Sequence, residues 1–210
     1  MDYEPQKIIS DNKKTDFSLN LPIKGHCHPT EICARTCYAK VGRLCMKHTR
    51  RKQAWLSQYL SGHDISRLIQ ETRRLSQVRL NGSGDLLPEH IDNILHLAEE
   101  CPSTRLWGMT RKPDIADEIN GKFKNLSLLV TVDHSSPERV WADYQGAMCF
   151  GPRTPEDTVL PDDDRILVVF PYHCHGKVVK GVQRHPKDCR AVWHEIDGCA
   201  SCGRCWSWAG

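Results

Sequence analysis

Short apolar runs and amphipathic stretches alternate along most of the chain. Runs with strand character fall at Asn20 to Lys24, Gln77 to Leu80, Thr104 to Met109, Leu126 to Val132, Ala147 to Phe150 and Ile166 to Phe170. The stretches between them carry helical spacing. Ile65, Leu68, Ile69 and Leu75 share a face behind Asp64, which is placed to cap, and Ile91, Ile94, Leu95 and Ala98 repeat that spacing after Pro88-Glu89. A third helix is predicted over Lys112 to Phe123. A fourth should follow Ser135-Ser136-Pro137-Glu138, with proline at the first helical position. Strands alternating with helices predict an α/β fold, a parallel sheet covered by helices. Six such units joined by right-handed crossovers form either an open doubly wound sheet or a partial (β/α)6 barrel. Functional groups then belong at the C-terminal strand ends. The pattern divides the chain into a polar arm (1–19), a strand-helix body (20–172) and a cysteine-rich tail (173–210).

Composition narrows the class. The chain has 210 residues, 29 Lys and Arg against 26 Asp and Glu, and a formal charge of +3, too mild to demand a nucleic-acid partner. No run approaches the roughly 18 apolar residues of a membrane span. The opening MDYEPQKIISDNKK lacks the basic-then-apolar layout of a signal peptide. A cytoplasmic protein with no membrane association is expected. Cysteine changes the picture: there are eleven, an odd number, and a reduced compartment favours metal ligation over disulfides. Cys27, Cys33, Cys37 and Cys45 gather near one end, and Cys189, Cys199, Cys202 and Cys205 at the other.

Cys27-HPTEI-Cys33-ART-Cys37-Tyr38-Ala39 places three thiols on a loop expected to leave the first strand. Three thiols leave one iron of a four-iron cluster open unless Cys45 closes it; a buried structural Cys45 is the other reading. The loop resembles that of the radical S-adenosylmethionine (SAM) superfamily, in which three cysteines follow the first strand of a partial barrel and the last is followed in some members by Tyr-Ala. The gaps here are five and three residues where three and two are usual. A glycine-rich turn ending in an acid follows the second strand of that superfamily, and Asn81-Gly82-Ser83-Gly84-Asp85 stands in that place. Within it, the chain is most similar to short phage- and mobile-element-encoded proteins that end in CxxCxxCW.

The resemblance implies a radical SAM iron-sulfur enzyme. Cys27, Cys33 and Cys37 would bind a 4Fe-4S cluster. Tyr38, Asn81, Gly82, Ser83, Gly84 and Asp85 would approach SAM, with Arg111, Asp133 and Arg153 at later strand ends meeting its carboxylate or ribose. A small flavodoxin- or ferredoxin-type protein would be the reductant. The substrate is not named by any motif.

The tail spacing, Cys189-x9-Cys199-x2-Cys202-x2-Cys205, suits a second, auxiliary 4Fe-4S cluster, with tetrahedral zinc as the alternative. Cys174, after the sixth strand, is a candidate hydrogen-atom donor to a radical, against a structural thiol as the bland reading. The run Lys47-His-Thr-Arg-Arg-Lys52 reads first as a solvated face, with contact to nucleic acid or to an acidic carrier protein as the alternative. The rival to the enzyme is a non-SAM iron-sulfur or zinc protein acting in electron transfer or nucleic-acid binding.

Overall fold

A computed structural model describes residues 3–12, 16–155, 160–171, 173–174, 177–178, 180–190 and 205. Seven strands form one sheet: β1 (Ser10–Asn12), β2 (Asp16–Asn20), β3 (Gln77–Ser83), β4 (Arg105–Thr110), β5 (Leu126–Val132), β6 (Met148–Arg153) and β7 (Ile166–Pro171). Six helices accompany it: α1 (Glu31–Thr36), α2 (Lys47–Leu60), α3 (Ser66–Thr72), α4 (Ile91–Glu100), α5 (Pro113–Ile119) and α6 (Glu138–Asp143). β1 pairs antiparallel with β2, and every later neighbour pair is parallel. The spatial order is the chain order, β1 to β7, without the reversal that marks a doubly wound sheet. A two-stranded ribbon, β8 (His173–Cys174) with β9 (Lys177–Val178), follows.

The strand period sorts side chains onto two faces. Leu80, Leu106, Leu128, Val130, Met148 and Phe150 enter the main core with Leu56, Leu60, Leu68, Ile94, Leu97, Ile115 and Ile119 from the helices. On the opposite face Leu129, Cys149 and Val168 form a smaller apolar cluster. Residues 187–189 run along β7, with the Val169 N–H donating to the Lys187 carbonyl and the Cys189 N–H to the Val169 carbonyl, both at 2.8 Å, so this edge is not left open. No helix among the described residues is long and apolar enough to cross a membrane.

The structure differs from the sequence reading at the N-terminus. The first parallel strand is Asp16–Asn20, four residues before its expected place, because Leu19 and Leu21 are the buried positions and Lys24 and Gly25 are exposed turn. Residues 1–19 are not simply a polar arm. Ile8 and Ile9 are buried in the main core, their N–H groups donate to the Glu71 carboxylate at 3.0–3.1 Å, and β1 and β2 form a hairpin.

Candidate functional site

The segment from Gly25 to Cys45 leaves β2 and arches over the C-terminal strand ends. It is more ordered than a simple loop: Thr30 caps α1 by accepting from the Cys33 N–H at 3.2 Å, and α1 lies against β6. Cys27 precedes the helix, Cys33 lies in it and Cys37 is its C-cap, so the last two thiols stand one turn apart. Cys27, Cys33 and Cys37 are all partly buried thiols outside any disulfide. They lie within electrostatic reach of one another. Burial pushes the Cys27 thiol up to about 12, and Asp85, Cys33 and Cys37 push the same way, against Lys112. Burial also raises Cys33, opposed by the charge and hydrogen bond of Arg111. Cys45 turns elsewhere, its thiol donating to the Gly42 carbonyl at 3.0 Å, and it is neither fully buried nor joined to the trio.

Four contacts tie the thiol segment to the sheet. Thr30 Oγ1 donates to Asp133 Oδ2 at 2.5 Å, and the Ile32 N–H donates to Ser135 Oγ at 3.2 Å, fixing the start of α1 to the end of β5. The Tyr38 hydroxyl donates to the Gly82 carbonyl at 2.6 Å, fixing the far end to β3. Tyr38 exposes 45% of its surface, yet its hydroxyl end is buried, and that burial raises its pKa. His26 makes the fourth tie through a directional chain. The Leu87 N–H donates to His90 Nδ1 at 3.2 Å, so neutral His90 carries its proton on Nε2, facing Ser57 Oγ at 3.4 Å. The Ser57 hydroxyl is then the donor to His26 Nε2 at 3.1 Å, and His26 Nδ1–H donates to the Asp85 carbonyl at 3.0 Å. The sequence offered no spacing signal for this chain, since its members come from three distant segments.

The residues expected around SAM are present at the same strand ends, each already engaged. The Asn81 side chain bridges β3 to β4, accepting from the Met109 N–H at 3.0 Å and donating to the Met109 carbonyl. A Cβ on Gly82 would meet Asn20 Oδ1 at 2.5 Å, and one on Gly84 (φ +72°) would meet the Leu21 carbonyl oxygen at 2.5 Å. Both glycines therefore answer first to packing against the end of β2. Ser83 Oγ donates to the Leu21 carbonyl at 3.1 Å and accepts from Gln53 Nε2 at 3.1 Å. Asp85, 4% exposed, accepts from the Leu86 N–H at 2.8 Å and the Arg111 N–H at 3.0 Å; its carboxyl is raised by burial. Arg111 pairs with Asp133 at 2.9 Å and donates to the Gly151 carbonyl at 3.1 Å. Arg153 lies further along, paired with Asp188 at 3.1 Å and bonded to the Gln183 carbonyl. It holds residues 183–188 rather than joining the thiol group.

Two further residues belong to this edge and face, Lys112, which the sequence places at a strand end beside Arg111, and Arg79, for which it gives no signal. Lys112 is a buried cation that donates from Nζ to the Leu86 carbonyl at 2.7 Å beside Asp85. Arg79, on the same face of β3 as Asn81, lies over the Trp107 ring at 5.4 Å and forms no ion pair among the described residues.

The tail reaches this same face. Cys189 and Cys205 both pack against Leu129, Cys149 and Val168, where the Cys149 thiol, pushed up to about 11 by burial, lies 3.1 Å from Thr131 Oγ1. Cys199, Cys202 and the side chain of Cys174 lie outside the described residues.

The donor set fits an iron-sulfur cluster in kind, with three soft thiols and, among the described residues, no fourth beside them. Among the described residues, however, no three His, Cys, Asp or Glu side chains converge closely enough to hold a metal ion as they stand. Loading would require the thiols to draw together.

No curated protein and no solved structure matches the chain. Residues 4–207 match the family model described as gene product 88, which takes in the sheet, the thiol segment and all four tail cysteines. The chain therefore belongs to the gene product 88 family.

Proposed function

We propose that the protein is a radical SAM iron-sulfur enzyme acting on a substrate held at the C-terminal edge of a partial (β/α)6 barrel. One observation carries the reading: three thiols, with no fourth beside them among the described residues, gather over the C-terminal ends of parallel strands laid down in chain order. Chain-order parallel strands with right-handed crossovers place every crossover helix on one side, as barrel curvature requires. Cys27, Cys33 and Cys37 would hold a 4Fe-4S cluster. Such a cluster, when bound, supplies the one electron that cleaves SAM to methionine and a 5′-deoxyadenosyl radical.

The chain's own residues would position and shield. Thr30, Ile32 and Tyr38 hold the segment at both ends, so the thiols remain over the strand ends without a cofactor. Lys112 and Arg111, beside Asp85 and Asp133, would offset the negative charge that the thiols take on when they ligate a cluster, in a region screened little by water. Cys189 and Cys205, with Cys199 and Cys202, would hold the auxiliary cluster against the apolar patch of Leu129, Cys149 and Val168.

The test is anaerobic reconstitution with iron and sulfide, then incubation with SAM and dithionite. About eight irons per chain and 5′-deoxyadenosine are expected. Iron without deoxyadenosine would favour an electron-transfer protein, and zinc as the bound metal would overturn both iron readings.

A further inference from the structure

Tyr38, Val41 and Met46 are the exposed large apolar side chains among the described residues, at 45%, 49% and 47%. Tyr38 opens the 3-10 turn Tyr38–Lys40, Val41 joins that turn to the next, Gly42–Cys45, and Met46 caps α2. These pieces pack together as one surface, anchored inward by buried Ala39. Its charge is one-sided. From Ile32 to His63 the sequence contains no Asp or Glu, but it has Arg35, Lys40, Arg43, Lys47, Arg50, Arg51 and Lys52. Some of these serve the fold: Lys40 donates to the Ala34 carbonyl, Arg51 lies over Tyr3 and Lys52 donates to Ser10 Oγ. Arg43, Lys47 and Arg50 are exposed and pair with no carboxylate among the described residues.

We infer that this surface docks an acidic protein, and specifically the small one-electron donor, of low-potential flavin or iron-sulfur type, that the thiol site requires. The inference rests on the proposed function for the donor's role. An apolar centre of Tyr, Val and Met with a cationic rim has the anatomy of a protein interface. A nucleic-acid surface needs phosphate-binding charge and has no use for exposed Val41 and Met46. The exposed cations Arg43, Lys47 and Arg50 select a partner of opposite sign and speed encounter. Location supplies the role, because Tyr38 directly follows Cys37 and its hydroxyl lies within electrostatic reach of all three thiols. A protein seated here is next to the group that must be reduced. The donor loses one electron, and SAM gains it as its carbon-sulfur bond breaks.

The test compares wild type with Arg43→Glu/Lys47→Glu/Arg50→Glu and with Val41→Ser/Met46→Ser. Glutamate in the first turn of α2 favours the helix dipole, so the charge-reversed chain should fold. The probe is a small acidic flavodoxin, titrated at low and high ionic strength, with dithionite as the chemical reductant and a short single-stranded DNA as the competing ligand. Wild type should bind flavodoxin in a salt-sensitive manner. Both variants should weaken that binding by about tenfold or more, and both should lose flavodoxin-driven deoxyadenosine formation while keeping the dithionite-driven reaction. Flavodoxin binding that is absent, insensitive to salt or unchanged in the variants overturns the inference. So does DNA binding that wild type shows and the charge reversal removes. Deoxyadenosine absent with dithionite would instead sink the proposed function, and the binding titration would still decide the docking surface.

Discussion

Acidification should weaken this fold through His90. The ring is fully buried, and burial followed by the His26 charge depresses its pKa from 6.5 to about 4, with Lys112 acting the same way and Glu89 and the bond to Ser57 opposing. The geometry explains the direction. Nδ1 already accepts from the Leu87 N–H at 3.2 Å, so the second proton of an imidazolium would face a donor. In the unfolded chain the same histidine protonates near its ordinary value. Stability from neutral burial is therefore present above pH 6.5 and lost as pH falls from there toward the folded value. A displacement from 6.5 to about 4 corresponds to roughly 2 kcal/mol lost by pH 5 and roughly 3 kcal/mol by pH 4. The assay is urea unfolding of wild type and His90→Asn between pH 7.5 and 4.5, the asparagine oxygen being able to accept from Leu87 without titrating. Asp85, raised by burial, titrates with the opposite sign and His185, lowered by burial, with the same sign; both remain in the variant and cancel in the difference. Wild type should lose about 2 kcal/mol more than the variant by pH 5. Parallel pH profiles would refute the reasoning.

Further outcomes can be measured on the same material. Gly84→Ala should cost about 2–3 kcal/mol, because its φ of +72° is compounded by a clash with the Leu21 carbonyl, whereas Gly121→Ala (φ +79°, open space) should cost only about 1 kcal/mol; equal midpoint shifts in urea would show that the clash is relieved. Arg153→Met removes the guanidinium paired with buried Asp188 and should destabilise by about 3 kcal/mol, with much of that loss recovered in Arg153→Met/Asp188→Leu by the same titration. Cys45→Ala should leave iron content and the cluster's absorbance unchanged after reconstitution, while Cys33→Ala should lose about half the iron; loss of iron in Cys45→Ala would place a fourth ligand on the first cluster.

Five of the six expected parallel strands could be read from apolar runs because each supplies buried positions to the main core, as Leu126, Leu128, Val130 and Val132 do on β5. The first strand was displaced because Asp16–Asn20 carries only two fully buried side chains, Ser18 and Leu19, and one of them is polar. The segment before it gives no signal for a related reason: Ile8 and Ile9 are adjacent apolar residues among charges, and their N–H groups are satisfied by Glu71, some sixty residues away. No local period reports such a contact. The polar strand-end residues were found by position, but position could not say whom they serve. Asp133 is the clearest case: Ser135, Thr30 and Arg111 together occupy both of its carboxylate oxygens.

That engagement bears on the departure of the thiol spacing from the pattern it resembles. A gap of five residues between Cys27 and Cys33 accommodates the cap at Thr30, and a gap of three between Cys33 and Cys37 is one helical turn, so both widened intervals follow from inserting α1 into the segment. A helix so short is marginal alone. Here it is held by Thr30 on Asp133, Ile32 on Ser135 and Tyr38 on Gly82, which are partners drawn from the strand ends expected to meet SAM. Asp133 and the Gly82 turn therefore act first as the mount for the thiols. On this geometry Asp133→Asn should loosen the thiol segment before it affects any bound ligand. The expected sign is faster amide exchange at Ile32 and Cys33 in the metal-free protein, with the core strands β4 and β5 unchanged. Exchange unaltered at those amides would return Asp133 to the role of a ligand-binding residue.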